Sequence, residues 1–246
     1  RWLRDITSKA MVEILKEHFS LCETLLRKFN SVNDPYVAQR LYGIIFGACC
    51  KRKSEEEQAL NRLAEYVYNT IFDQVLVYPD ILLRDYARMI IERFTWEYPT
   101  YVGRIDRRKI RPPYASIPVP DSCDCDYSTQ EYSGGLYSIV SSLRFEGMGM
   151  YGDFGRYVFQ SALSEFNNVD RKTVFNYAMH LIINEYGYTE EQFNDYDTHV
   201  GRRYYDRHNT TKRERIGKKY QWLAMYNILA RISDHCEMKE RWYDEA

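Results

Sequence analysis

Apolar positions in the first hundred residues recur with the spacing of amphipathic α-helices. From Ser8 to about Phe29 they fall at i, i+3 and i+4, which predicts one helix with a single buried face formed by Met11, Ile14, Leu15, Phe19, Cys22, Leu25 and Leu26. A second helix is predicted from Asp34-Pro35, with Asp as N-cap and Pro at the first helical position. Ser54 begins a Ser-x-x-Glu capping box for a third helix, and Pro79 begins a fourth.

The second and fourth predicted helices share a sequence register. The pattern Pro-x-(Val/Ile)-x-x-Arg-x-Tyr-small occurs at Pro35 and again 44 residues later at Pro79. A period of about 40–47 residues with two helices per unit is typical of HEAT-like repeats. We therefore predict HEAT-like helical repeats over residues 1–96, with two unrelated amphipathic helices as the alternative. The repeated arginine, Arg40 and Arg84, is expected to bond carbonyls or a carboxylate in the neighbouring repeat rather than a ligand.

Dense proline interrupts the helical pattern from residue 97 to residue 135. Proline fixes its own backbone angle and restricts the residue before it, so a Pro-rich irregular segment is predicted there. The segment carries a basic run formed by Arg104, Arg107, Arg108, Lys109 and Arg111. This run is interpreted either as a solvated loop or as a secondary, phosphate-binding basic patch.

Residues 136–246 are predicted to form a compact C-terminal helical unit. Its first stretch, Leu136 to Phe145, fits either a short strand or a helix. Asp170 is the expected N-cap of a helix that stops at Gly187. A last helix is predicted from about Lys212 to His235, and its apolar residues on nearly all sides favour a buried position. The fold class is therefore mostly α.

Composition narrows the functional classes. The formal net charge of −1 argues against a protein built wholly to grip nucleic acid, although a local basic face remains compatible with it. No apolar run approaches the roughly 18 residues that a membrane span needs, so no membrane partner is expected. The 23 tyrosines suit a tyrosine-rich core and shell, or a special binding surface. The chain begins at Arg1 without an initiator methionine, and it is expected to be a piece of a longer protein.

Six cysteines bear on compartment and metal binding. Their spacing fits no disulfide framework, so a reducing cytoplasm is the expected setting. Cys123-Asp124-Cys125 resembles half a metal site, but no second ligand pair has a matching spacing. Neither a metal nor a cofactor is therefore expected.

The strongest binding candidate is a basic segment over residues 202–219. Its cations alternate with tyrosines, and the candidate binding residues are Arg202, Arg203, Tyr205, Arg207, Lys212, Arg215, Lys218 and Lys219. Cations and stacking aromatics together are typical of nucleic-acid grooves. They also suit an acidic protein surface, and a solvated loop before a buried helix is the simpler alternative.

The same region contains a polar constellation that acid–base chemistry could use. It consists of Asp195, Asp197, His199, Arg202, Arg203, Glu214 and Lys218. A metal-dependent nuclease would need clustered carboxylates with a nearby lysine, often as Asp followed by Glu-x-Lys, and Glu214 lacks that lysine spacing. The alternative is a structural network in which Glu214 and Lys218 are i, i+4 partners on one helix. No catalytic residue is assigned.

Several motifs together resemble one protein family. They are Leu82-Leu83-Arg84-Asp85-Tyr86-Ala87-Arg88, Arg111-Pro112-Pro113-Tyr114, Gly152-Asp153-Phe154-Gly155-Arg156-Tyr157, and the stretch from Arg202 to Asp234, which includes the runs 214–224 and 228–231. The chain resembles the C-terminal part of very large bacterial NTPases of the NACHT/STAND type used in antiphage defence. The resemblance implies that helical repeats act as a sensor while a separate module hydrolyses ATP. No Walker loop occurs in this chain, in agreement with that division.

The expected function is a non-enzymatic sensor or scaffold module of a larger bacterial protein. It would bind a protein partner or the rest of its parent chain. A nucleic-acid-binding module acting through residues 202–219 is the alternative. A metal-dependent hydrolase or nuclease is the third hypothesis.

Overall fold

The structure is a computed structural model that describes residues 2–53, 56–101, 103–204 and 214–240, apart from the side chains of residues 2, 190 and 201–204. Within these residues the chain forms ten α-helices, three short π-helical turns and no β-strand. The mostly α fold class is thus confirmed. Two compact units are present, Arg1–Ser116 and Ile117–Ala246. The predicted division into 1–96, 97–135 and 136–246 stays a prediction.

The first unit contains five helices. They are α1 (Trp2–Glu17), α2 (Leu21–Phe29), α3 (Pro35–Lys51), α4 (Glu57–Val67), which continues as a π-helical turn (Tyr68–Phe72), and α5 (Ile81–Glu97). The single helix predicted from Ser8 to Phe29 is wrong, because the chain turns between α1 and α2. Phe19 lies in that turn and is fully buried in the same core as Leu15 and Cys22. The apolar periodicity therefore continues across the turn.

Three helices of this unit form a row and point the same way. Contacts near both ends of each pair show the direction, namely Arg4 with Tyr36 and Lys51 with Glu13 for α1 and α3, and Gln39 with Asp80 and Arg52 with Glu97 for α3 and α5. Helices α2 and α4 form a second row, in which Arg27 lies over Tyr66 and Arg62 lies 3.6 Å from Glu23. Stacked helical hairpins give such rows. That these helices are HEAT-like repeats stays a prediction.

Two glycines let α3 approach both of its neighbours in the row. A Cβ atom at Gly43 would lie 3.0 Å from the Tyr86 ring of α5, and one at Gly47 would lie 2.9 Å from a methyl group of Val12 on α1. Since real Cβ atoms essentially never come closer than 3.0 Å to another atom, a side chain at Gly47 would require Val12 or one of the two helices to shift. The middle helix of the row is therefore packed closely on two sides.

Aspartates cap two helices of the row. Asp34 accepts hydrogen bonds from the backbone N–H groups of Tyr36 (2.9 Å) and Val37 (3.3 Å), as the sequence predicts. The expectation that Pro79 begins the fourth helix is wrong, because Asp80 is the N-cap of α5 and accepts from the Leu83 N–H at 2.9 Å. The predicted capping box at Ser54 lies outside the described residues.

Arg84 has the structural role that the sequence suggests. It is 3% exposed, and its guanidinium donates to the carbonyl oxygens of Tyr78 and Val77, each at 2.7 Å. Arg40, its predicted counterpart, lies over the Tyr36 ring at 5.4 Å. Arg84 therefore bonds carbonyl oxygens as expected, but they belong to the segment directly before its own helix and not to a neighbouring repeat.

The Pro-rich region is irregular wherever the structure describes it. Between Tyr98 and Ser133 these residues form neither helix nor strand. Ile110 is nevertheless 2% exposed and belongs to the first core, and the Tyr114 ring packs 5.4 Å from that of Phe72. Part of this segment is thus bound to the helices of the first unit.

The second unit is also helical. It contains α6 (Gly134–Leu143), a π-helical turn (Gly155–Phe159), α7 (Gln160–Leu163), α8 (Arg171–His180), a further π-helical turn (Leu181–Glu185), α9 (Glu190–Tyr204) and α10 (Ile216–His235). The ambiguous stretch after Leu136 is therefore a helix. Asp170 caps α8 by accepting from the Thr173 N–H at 2.6 Å, which confirms that prediction.

Helix α10 is the central element of this unit. It packs against α6, α8 and α9, and most of its residues from Leu223 to Ile232 are buried, as the sequence predicts. Its start differs from the predicted Lys212, since the helix begins at Ile216 and residues 205–213 lie outside the described part. Across the described residues, every helix is too short or too polar to cross a membrane.

Candidate binding surfaces

The structure describes only part of the predicted basic segment. Arg202 and Arg203 lie in the last turn of α9, with side chains outside the described part, and Tyr205, Arg207 and Lys212 lie outside it altogether. The remaining candidates are Arg215, Lys218 and Lys219 at the start of α10. Whether the segment binds a ligand stays a prediction.

The three described cations sit at the end of α10 where cations are least favoured. Arg215 occupies the N-cap position and its side chain makes no capping hydrogen bond, while Lys218 is exposed in the first turn. The Lys219 ammonium lies 5.9 Å from the centre of the Tyr220 ring. Because the N-terminus of a helix carries a partial positive charge, cations there do not stabilise the helix. Together they make this end of α10 attractive to anions.

Asp197 of α9 provides the cap that α10 lacks. It is 1% exposed, and its carboxylate accepts hydrogen bonds from the Ile216 N–H at 2.6 Å, the Gly217 N–H at 2.8 Å and the Tyr188 hydroxyl at 2.9 Å. A buried carboxylate at a helix N-terminus satisfies backbone donors and interacts favourably with the helix dipole. Asp197 therefore fixes the start of α10. No local motif signals this role, because its partners on α10 are 19 and 20 residues away.

The other members of the polar constellation have different surroundings. Asp195 and His199 are exposed on α9, and Glu214 is exposed just before α10. The expected helical pair of Glu214 and Lys218 is wrong, since α10 begins only at Ile216 and Glu214 precedes it. Among the described residues, no group of three or more His, Cys, Asp or Glu side chains could hold a metal ion.

Ion pairs engage much of the secondary basic patch. Arg108 pairs with Asp106 at 2.9 Å, Arg111 pairs with Glu92 at 2.9 Å, and Lys109 pairs with Asp73. Arg104 and Arg107 are exposed. The net positive charge that this patch offers to a phosphate is therefore smaller than its sequence indicates.

The Cys123-Asp124-Cys125 stretch lies in the irregular part of the second unit. Both thiols are half-buried, and burial is the main reason that the pKa of Cys123 is raised. A raised pKa favours the neutral thiol over the thiolate that binds metals. No additional ligand group accompanies them within the described chain.

An apolar surface that the sequence analysis missed lies on α1. Leu3, Ile6 and Ile14 are 71%, 43% and 58% exposed. Their spacing places them on one stripe, away from the face where Val12 meets Gly47 of α3. Ile14 was expected to be buried, and it instead points outward. The signal was present in the sequence as apolar residues at positions 3, 6, 10 and 14, but the predicted helix began too late to include the first two.

Comparison with protein-family models, with curated proteins and with solved structures finds no match for this chain. The functional proposal therefore rests on the contacts, exposure and charges of the chain's own residues.

Proposed function

We propose that this chain is a non-enzymatic sensor or scaffold module of a larger bacterial protein, and that it binds a protein partner. The observation that carries the proposal is the exposed apolar stripe of α1. The resemblance to the sensor region of defence NTPases agrees with it. The six free thiols support a cytoplasmic setting, because disulfides are rare there.

The stripe lies at the open end of the row formed by α1, α3 and α5. Terminal elements of stacked helical arrays need a polar outer face to remain soluble on their own. The outer face of α1 instead exposes the apolar side chains of Leu3, Ile6 and Ile14. Helix α3 packs parallel to α1 on its other side. The occupant that best continues this interface is an amphipathic helix, which would extend the row and come either from a partner protein or from the parent chain.

Site-specific crosslinking tests this proposal. A photoreactive phenylalanine analogue is introduced into the full chain at Ile6 or, as a control, at the exposed Gln58 of α4, and bacterial cells expressing each variant are irradiated. A discrete adduct is expected only at position 6, and mass spectrometry should map it to an amphipathic helix. The double variant L3E/I14E should abolish it while keeping the helical circular-dichroism spectrum. An absent adduct, or equal adducts at positions 6 and 58, would contradict the proposal.

Nucleic-acid binding is the second candidate, and the cationic start of α10 favours it. Asp197 already binds the first N–H groups of α10, so a phosphate would be attracted by the side-chain charges of Arg215, Lys218 and Lys219. The test is fluorescence anisotropy of labelled single- and double-stranded RNA and DNA at low and physiological salt. Lys218→Glu should weaken binding and reduce the salt slope by about 1, whereas Lys239→Glu, beyond the other end of α10, should not. Unchanged binding by the Lys218 variant would exclude this surface.

A further inference from the structure

A polar groove lies between α2 and α4 in the first unit and continues beside the π-helical turn after α4. Its volume is about 690 Å³, and its lining includes Glu23, Arg27, Arg62, Glu65 and Tyr66 together with several side-chain amides. Ligand sites commonly measure roughly 300–1,000 Å³, but most are lined by apolar side chains. The size of this groove thus suits a ligand, and its lining suits a polar one.

Two arginines in the groove share one carboxylate. Glu23 accepts from Arg27 at 2.8 Å and lies 3.6 Å from the Arg62 guanidinium, while the two arginine side chains are 60% and 57% exposed. Each guanidinium has five N–H donors, and one carboxylate occupies only a few of the ten. The two guanidiniums therefore keep unused donors, and together with Glu23 they give this end of the groove a formal charge of +1, although Glu65 makes the groove as a whole formally neutral.

The aromatic ring of the groove is already covered. The Arg27 guanidinium lies over the Tyr66 ring at 4.3 Å and occupies a face on which a nucleobase would stack. Stacking on aromatic rings supplies much of the affinity for single-stranded nucleic acids. The groove is therefore better suited to a peptide than to an oligonucleotide.

The remaining lining residues match the chemistry of a peptide backbone. Glu65, the second carboxylate of the groove, accepts a hydrogen bond from the Tyr101 hydroxyl, so one of its oxygens is engaged. Exposed amides line the groove from the end of α2 to beyond the π-helical turn, at Asn30, Asn69 and Gln74. The Gln74 amide already donates to the backbone carbonyl oxygen of Asn69 at 2.5 Å, so it offers a peptide mainly its oxygen. A side-chain amide both donates and accepts hydrogen bonds, as the N–H and C=O groups of an extended peptide require.

We propose that this groove binds an extended acidic peptide segment, whose carboxylates contact Arg27 and Arg62 and whose backbone contacts the amides. This inference rests on the proposed protein-binding function and names a second surface for it. The cost of ordering a flexible peptide on binding keeps the expected affinity modest.

Selection from a library of random decapeptides displayed on phage tests the inference with the full chain as target. Enriched peptides should be rich in Asp and Glu, and the most enriched one is then synthesised with a fluorescent label and titrated by anisotropy. Arg62→Gln should weaken its binding by about tenfold or more, because charge-assisted hydrogen bonds are lost. Lys28→Gln is the matched control, since it removes a positive charge from an exposed residue of α2 that does not line the groove.

Enrichment of peptides without acidic residues, or equal binding by the Arg62→Gln and wild-type chains, would overturn the inference. A failure to enrich any peptide would overturn it as well. The α1 crosslinking result is independent of all these outcomes, because it is measured at Ile6 with the groove intact. The groove proposal and the scaffold function can therefore fail separately.

Discussion

Asp80 caps α5 and is also one of the few buried acidic side chains described in this protein. It is 2% exposed, accepts from the Leu83 N–H, and contacts the Gln39 amide, which is itself 4% exposed. Burial raises the pKa of Asp80, and the hydrogen bonds from Leu83 and Gln39 oppose that rise only in part. The position therefore needs the acceptor oxygens of the side chain more than its negative charge.

Two substitutions separate the cap from the charge. Asp80→Ala should lower the free energy of unfolding by about 2–4 kcal/mol, because it removes a cap and leaves a buried amide unpaired. Asp80→Asn should cost much less at pH 7. Because the folded pKa is raised, the stability from protonated Asp80 is complete below the unfolded pKa of about 3.9 and is lost as the pH rises through the folded pKa. In urea denaturation, the free energy of unfolding of Asp80→Asn relative to that of wild type should therefore increase from pH 4 to pH 7. An equal loss in both variants would contradict this account.

Arg52 and Glu97 form the most buried ion pair in the described chain, with side chains 2% and 15% exposed. The guanidinium contacts both carboxylate oxygens, one at 3.2 Å, and lies 5.5 Å from the Phe19 ring. Partial burial raises the pKa of Glu97, but the hydrogen bonds and charges of Arg52 and Arg93 outweigh it and lower the pKa overall. The pair joins the end of α3 to the end of α5.

Glu97→Gln should lower the free energy of unfolding by about 3–5 kcal/mol, because it leaves the Arg52 charge buried without its carboxylate. Arg93→Gln is the matched control. Arg93 also contacts Glu97, but its side chain is more exposed (35%), so this substitution should lower the free energy of unfolding by less than about 1 kcal/mol. Thermal and urea unfolding of both variants measure the difference, and similar losses would show that burial does not set the strength of this pair.

The start of α10 depends on a carboxylate from another helix. Asp197→Ala should lower the free energy of unfolding by about 2–4 kcal/mol, because two N–H groups and a tyrosine hydroxyl lose their common acceptor. Amide exchange at Ile216 and Gly217 should become faster than in wild type. Asp195→Ala, an exposed position on the same helix, should change stability by less than about 0.5 kcal/mol. Unchanged exchange at the two amides would exclude the capping role.

Helix starts and ends also show what the sequence could and could not predict. Asp34 and Asp170 were identified because an N-cap bonds to residues two or three positions away, which local sequence contains. The capping role of Asp197 could not be identified in this way, because the N–H groups that it accepts from belong to another helix. The turn at Phe19 was missed for a related reason, since both arms of the turn face one core and keep the apolar spacing in phase.

The binding surfaces depend on the arrangement of helices rather than on any motif. The pair of Glu23 and Arg27 is visible in the sequence as an i, i+4 spacing, but Arg62 joins it only because α2 and α4 pack side by side. The stripe on α1 becomes an open surface only because α3 covers the opposite face. Sequence patterns identify which helix faces are apolar, whereas packing decides which of these faces remain exposed.

At the scale of the whole molecule, each unit has its own hydrophobic core. The first core extends from Leu15 to Ile110, and in the second unit the buried residues of α6, α8 and α10 pack together. Units of this length fall within the usual size of independently folding domains. The fragments 1–116 and 117–246, produced separately, should each be helical by circular dichroism and unfold cooperatively in urea. As a control, a fragment cut within the first core, 1–80, removes α5 and should lose cooperative unfolding. Cooperative unfolding of fragment 1–80, or non-cooperative unfolding of fragment 1–116, would show that the core of the first unit does not specify an independent fold.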